Sequence, residues 1–280
     1  MAIDLSSVGH RVEGVEQTYG WRDVALYALS LGAGTDDLDY VLDRPQPRVL
    51  PTYGVIPAFA PVFEAMRRTG ADLVQLLHTA QRTELVAPFP AEGRMHTSAA
   101  IRGIWDMRIG ALALVDSETE VDGTLACRTT WQLLLRGEGG FGGDRPPAGL
   151  RTKPPKDRAP DFEVKVQTSR DQALLYRLTG DVNPIHSHPE VARQAGFDRP
   201  ILHGLCTYGI AGRVALKALA GNDPARFRAF EARFAKVVMP GDALIVRGYR
   251  LEQAGQAAIT VTLEQDGELA IGNALFEFSE

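Results

Sequence analysis

The segment from Arg136 to Pro160, RGEGGFGGDRPPAGLRTKPPKDRAP, constrains the fold more than any other part of the chain. Its glycines and prolines break both the 3.6-residue period of a helix and the two-residue period of a strand, so it reads as a connection between two units. Thr124 to Leu135 before it, and Phe162, Val164 and Val166 after it, carry strand patterns. The predicted division is therefore 1–136, a linker over 137–160, and 161–280. A chain of 280 residues is long for one domain and suits two.

The halves also resemble each other. Arg22-Asp23-x-Ala25-Leu26 followed by Gly32 recurs as Arg170-Asp171-x-Ala173-Leu174 followed by Gly180. Leu77-His78-Thr79 pairs with Leu202-His203-Gly204, and Pro90 with Gly93 pairs with Pro240 and Gly241. Three marks in the same order favour a duplicated domain. In the second half, Ser169-x-x-Gln172 is a capping-box pattern and Gly180 a helix stop. Ile201 to Ala220 predicts a helix that is apolar or small nearly all round, which makes sense only if it is buried. Strands are expected over 243–251, 257–263 and 269–278, the middle one with Ile259, Val261 and Leu263 on its covered face. A buried helix wrapped by an antiparallel sheet, occurring twice, is an α+β fold.

Charge and composition exclude several roles. A net charge of −5 argues against a nucleic-acid surface, which needs a basic excess. No run of apolar residues is long enough to insert into a membrane, and the start MAIDLSSVGH has no secretory pattern. Two cysteines, Cys127 and Cys206, form neither a disulfide framework nor a CxxC pair. With no recognisable address at the C-terminus, a cytoplasmic location is expected.

The chemistry concentrates in Gly180-Asp181-Val182-Asn183-Pro184-Ile185-His186-Ser187-His188. A carboxylate and an imidazole on one water can share general acid and base work, and an amide between them can orient it. The plainer reading is that Asp181 and Asn183 only close a turn. A metal held by Asp181, His186 and His188 is a third reading. Pro200-Ile201-Leu202-His203-Gly204 precedes the buried helix, whose free N–H groups could hold an oxygen gaining negative charge; the alternative is an ordinary helix start. His203 itself reads as structural. Gly137-x-Gly139-x-x-Gly142 imitates a dinucleotide fingerprint, but Asp-Arg-Pro-Pro follows it instead of a helix. Cys206, on an apolar small-residue helix, reads as an inert buried thiol.

The string from Tyr176 to Ala192, YRLTGDVNPIHSHPEVA, resembles the signature of the (R)-specific enoyl-CoA hydratases, the hydratase 2 or MaoC-like family. The likeness runs on through Pro200-Ile-Leu-His-Gly204 and Ala232-Arg-Phe234 to Gly241. In the first half it rests on Asp23-Val-Ala-Leu, Pro51-Thr-Tyr and Arg136 to Gly143. The resemblance implies a double hot-dog fold and reversible syn addition of water to a trans-2-enoyl-CoA, giving the (3R)-3-hydroxyacyl-CoA. It implies that Asp181 and His186 are the acid/base pair, that Asn183 helps place the water, and that the Gly204 N–H polarises the thioester carbonyl. Phe234, His78, Thr79 and Met107 are implied to contact substrate. Coenzyme A belongs to the substrate, no metal or redox cofactor is implied, and a homodimer is allowed without being required.

The first repeat has Gly32-Ala-Gly-Thr-Asp-Asp where the second has its catalytic set, so one site per chain is expected, with the first half supplying acyl and CoA surface. Relatives often carry His-Gly at His78-Thr79 and Lys at Met107. Arg108, or the run Arg151, Lys153, Lys156 and Arg158, are candidates to supply the missing cation. Rival readings are a dehydratase acting on carrier-protein thioesters, a hot-dog thioesterase, and a non-catalytic acyl-CoA-binding subunit.

Overall fold

A computed structural model describes residues 3–14, 16–107, 109–149 and 152–280. In the first half two short strands, β1 (Arg11–Glu13) and β2 (Gln17–Tyr19), precede helix α1 (Trp21–Ser30) and helix α2 (Val55–Arg67). Four long strands follow: β3 (Leu76–Leu85), β4 (Gly93–Met107), β5 (Gly110–Val121) and β6 (Thr124–Arg136). The second half repeats the plan with β7 (Phe162–Gln167), α3 (Gln172–Tyr176), α4 (Pro189–Gln194) and α5 (Gly204–Leu219). It ends with β8 (Phe227–Phe234), β9 (Ala243–Arg250), β10 (Gln256–Leu263) and β11 (Leu269–Phe278).

All these strands join one antiparallel sheet in the order β1-β4-β5-β6-β3-β8-β11-β10-β9-β7, with β2 also on β4. The halves meet where β3 pairs with β8, from Ala80 opposite Arg233 to Glu84 opposite Ala229. Helix α2 lies on the strands of the first half and α5 on those of the second. This is the expected α+β double hot-dog: two helices, each wrapped by half of a continuous sheet.

Helix α5 is buried over most of its length, thirteen of its sixteen residues being enclosed. Two of its glycines explain how. A Cβ at Gly209 would stand 2.6 Å from Leu31, and one at Gly212 would stand 2.8 Å from Thr52, so the first half packs directly on the helix backbone. The helix starts at Gly204, three residues later than its apolar pattern suggests, because Leu202 N–H is taken by the Val238 carbonyl and the preceding strap stays extended.

Two of the three repeat marks fall on equivalent elements, α1 against α3 and the turns before β4 and β9. The third does not. His78-Thr79 lies inside β3, whereas His203-Gly204 opens α5; the true counterpart of that helix start is the turn Pro51–Gly54 before α2. The similarity of Leu-His-Thr to Leu-His-Gly is local coincidence.

One polar cluster ties the halves together. Arg213, in the middle of α5, donates to the Leu31 carbonyl at 3.1 Å and to Asp37 at 2.8 Å, and Lys217 reaches the other oxygen of Asp37 at 2.8 Å. Asp37 is 6% exposed, so its charge depends on these partners. Replacing Arg213 by Met should lower the unfolding free energy by about 3 kcal/mol in urea titration, because it strands a buried carboxylate. A loss below about 1 kcal/mol would mean that Lys217 alone compensates Asp37.

Candidate active site

Helix α3 tightens into a 3-10 turn over Arg177–Thr179 and stops at Gly180, whose φ of 139° disfavours any side chain. The chain then leaves the sheet and helices and supplies its own hydrogen bonds. Asp181 Oδ1 accepts from Asn183 N–H at 3.2 Å, and Asn183 Oδ1 accepts from Ile185 N–H at 3.2 Å. Pro184 opens a short 3-10 turn that ends at His186. Turn formation and function are thus combined in the same residues: the turn projects Asp181 and His186 inward, while Asn183 lies on its exposed side with Oδ1 engaged by the loop backbone.

The inward side chains meet the strap before α5. His186 Nδ1 lies 2.9 Å from the Ile201 carbonyl, and a carbonyl can only accept, so Nδ1 carries the hydrogen and Nε2 keeps its lone pair. His203 Nε2 lies 3.1 Å from the Asp181 main-chain carbonyl, which fixes the opposite tautomer. The two imidazoles stack with centroids 3.7 Å apart. His203 was read as structural from the sequence; the structure puts it at the centre of the site. His188 stays outside, exposed and bonded to Ser187.

The first N–H groups of α5 open onto the same place. Among the described residues neither Gly204 N–H nor Leu205 N–H has an intramolecular acceptor, as expected for a helix N-terminus. Phe234, the last residue of β8, covers Gly204: a Cβ there would lie 3.4 Å from its ring. His78 on β3 meets the edge of Phe234 at 5.0 Å and stacks on Trp131 at 4.8 Å, continuing an aromatic wall into Phe59 and Phe63 of α2. Trp131 has no sequence signal of its own; only the pairing of β6 with β3 brings it here.

Two expected contact residues stand differently. Thr79 spends its hydroxyl on the Gln132 carbonyl at 3.0 Å, in a bulge of the β3–β6 ladder. Met107 ends β4 beside the glycine loop, which Asp106 holds through the Gly140 and Gly142 N–H groups at 2.9 and 2.6 Å. Of the cationic candidates, Arg158 is paired with Asp161 at 3.0 Å, Lys153 and Lys156 are exposed, and Arg108 and Arg151 lie outside the described residues.

Burial separates the titration of the pair. It pushes the Asp181 carboxyl up to about 6, against a small opposing effect of the Asn183 N–H, and pushes His186 down to about 4. At neutral pH Asp181 is ionised and His186 neutral. Cys206 is buried and points at the Ser30 carbonyl, with its thiol pushed up by desolvation, so it is no nucleophile at neutral pH. Asp181, His186 and His203 each place one potential ligand atom within 4.8 Å of the others. Both imidazoles already donate to carbonyls, and the atoms facing the common space include a lone pair and a carboxylate, a set suited to the two hydrogens of a water.

A helix wrapped by sheet in each half, with one half-buried carboxylate–imidazole pair beside a helix N-terminus, defines a hot-dog protein with acid–base capability. The family model described as a MaoC-like domain matches residues 151–268, and that of the MFE-2 hydratase 2 N-terminal domain matches residues 17–137. The 3-hydroxyacyl-thioester dehydratase Y of Mycobacterium tuberculosis is 41% identical, over 95% of this chain and 94% of its own. The peroxisomal enoyl-CoA hydratase 2 of Arabidopsis thaliana is 36% identical, over 85% and 84%. A crystal structure of a MaoC-like dehydratase from Phytophthora capsici superimposes with a TM-score of 0.88 at 28% identity, over 99% of this chain and 97% of that one. The chain belongs to the MaoC-like dehydratase and hydratase 2 family, in its two-repeat form.

The raised pKa of Asp181 has a cost in stability. The folded state binds this proton more tightly than the unfolded chain, so ionising the group works against folding at pH 7, and the penalty disappears once both states are protonated below about pH 4. Asp181→Asn should therefore melt a few degrees higher than the parent at pH 7, with the gap closing by pH 4. Equal or lower melting at pH 7 would show that the carboxylate is better compensated than its burial implies.

Proposed function

We propose that this chain is an (R)-specific 2-enoyl-CoA hydratase, running in reverse as a (3R)-3-hydroxyacyl-CoA dehydratase of fatty-acid metabolism. The observation that carries the reading is that Asp181 and His186 converge beside the open N-terminus of α5. The names of the relatives, a thioester dehydratase and an enoyl-CoA hydratase, support the same chemistry.

In this reading the thioester oxygen accepts from the Gly204 N–H, where the helix dipole favours the charge that develops on it. A water donates one hydrogen to His186 Nε2 and the other to the Asp181 carboxylate, which turns its lone pair toward C3. As the oxygen adds to C3, Asp181 takes the proton and the electron pair of the C2=C3 bond moves into the thioester enolate. Asp181 then gives the proton to C2, which restores the carboxylate and leaves hydroxyl and hydrogen on one face. Dehydration is the same path reversed. The steps are proton transfers and need no metal or redox cofactor. Asn183, on the exposed side of the turn with its oxygen engaged by Ile185 N–H, acts on the water through the loop it holds and not by direct contact.

Residues 161–280 carry this chemistry, and 1–136, joined through 137–160, supply acyl and CoA surface through His78, Thr79 and Met107, with the buried Trp131 packed behind His78. The acyl chain would run from Phe234 toward Phe59 and Phe63. Both cysteines are buried and unpaired, which supports a reducing setting such as the cytoplasm. Among the described residues no helix is long and apolar enough to cross a membrane. A homodimer is compatible with the reading and not required by it.

Loss of enoyl absorbance with crotonyl-CoA, followed by (3R)- and (3S)-specific dehydrogenases, tests the reaction. The product should be (3R), and Asp181→Asn should lower kcat by about 10²–10⁴-fold. The hydration kcat/KM of the parent should fall as pH drops through about 6, because protonated Asp181 cannot accept. A (3S) product, or activity confined to carrier-protein thioesters, would overturn the assignment. Lys153→Ala with Lys156→Ala should raise KM for crotonyl-CoA about fivefold at low salt with kcat unchanged, the difference shrinking at high salt. A KM independent of both changes would remove these lysines from CoA binding.

A further inference from the structure

The loop that carries Asp181 and His186 is poorly anchored by its own backbone. Its hydrogen bonds are local turns, apart from one contact of 3.3 Å from Ile201 N–H to the Ile185 carbonyl. What fixes the reacting side chains comes from the strap before α5. Ile201 accepts from His186 Nδ1, and His203, two residues on, donates Nε2–H to the main-chain carbonyl of Asp181. His203 also stacks on His186 with an interplanar angle of 26° and leans on Tyr176 at 4.8 Å. Among the described residues it makes the only hydrogen bond to the Asp181 carbonyl.

We propose that His203 is a positioning residue for the acid–base pair: one imidazole sets the height of the His186 ring by stacking and the place of Asp181 through its carbonyl. The inference rests on the hydratase reading. The strap is itself pinned, since Leu202 N–H bonds to Val238 and Gly204 begins α5, so the dimension His203 transmits is that of the helix N-terminus. The distance from the acid–base pair to the Gly204 N–H is thereby set by three consecutive residues, Leu202 to Gly204.

Such a clamp works only while His203 stays neutral in its Nε2–H form. The groups that face it favour this. Burial is the main cause: His203 is 1% exposed, against buried Tyr176, with its Nδ1 lacking a partner among the described residues, and the neighbouring His186 and Arg177 act in the same sense against an imidazolium. Asp181 presents its carbonyl, which requires the hydrogen on Nε2.

Two variants separate the two contacts. His203→Phe keeps a ring for the stack and loses the donor; His203→Gln keeps an amide donor at similar reach and loses the stack. Measured per folded enzyme, His203→Phe should lose about 100-fold in kcat for crotonyl-CoA hydration while KM moves less than threefold, and His203→Gln should recover at least tenfold of that loss. Imidazole ¹⁵N spectra of the parent provide a test that does not depend on variants folding. His203 should be the neutral Nε2–H tautomer and His186 the neutral Nδ1–H tautomer from pH 5.5 to 8. Parent-like kcat in both variants, or a His203 that titrates in this range or bears its hydrogen on Nδ1, would overturn the proposal. Absence of hydratase activity in the parent would instead overturn the reaction assignment, while the tautomer measurement would still decide the clamp.

Discussion

The structure depends on the burial of helix α5, thirteen of whose sixteen residues are enclosed. A surface helix can present one apolar face to a sheet, but α5 is also covered by the first half, at Leu31 against Gly209 and Thr52 against Gly212. The covering has two consequences. A charged residue in mid-helix, Arg213, must find its counter-charge inside the protein, and Asp37 supplies it. The N-terminus opens at Gly204 beside the half-buried Phe234, His186 and Asp181, with its first N–H groups free for an acceptor.

The pseudo-symmetry of the chain makes the division of labour visible. The loop after α1 and the loop after α3 leave equivalent helices and each reaches toward the other half: Gly32 lies against Arg213 of α5, and Gly180 against Ile56 of α2. In the first loop the acidic residue, Asp37, is matched by two cations and serves cohesion. In the second, among the described residues no cation pairs with Asp181; burial outweighs the Asn183 N–H and lifts its pKa toward neutrality. The same topological position is spent on stability in one repeat and on chemistry in the other.

Much of this was legible in the sequence. Turn and cap residues act through local geometry, so the break after Arg136, the stop at Gly180, the strands β9 to β11 and the Asp181–His186 segment could all be read from spacing. The start of α5 was read three residues too early, because the bond from Leu202 to Val238 depends on a partner far along the chain. The equivalence of His78-Thr79 with His203-Gly204 failed for a related reason: three matching letters do not say whether a segment is strand or helix start. Trp131 and the two carbonyl clamps on the histidines were invisible, since both arise from strand register and from backbone oxygens that every residue shares.

The most direct test of the central claim, that one water held by Asp181 and His186 is delivered to one face of the substrate, is hydration of a trans-2-enoyl-CoA in D₂O with the diastereomer resolved by proton NMR. Deuterium at C2 and hydroxyl at C3 on the same face, in a single diastereomer, is the expected result. An anti product, or a mixture of both, would contradict it.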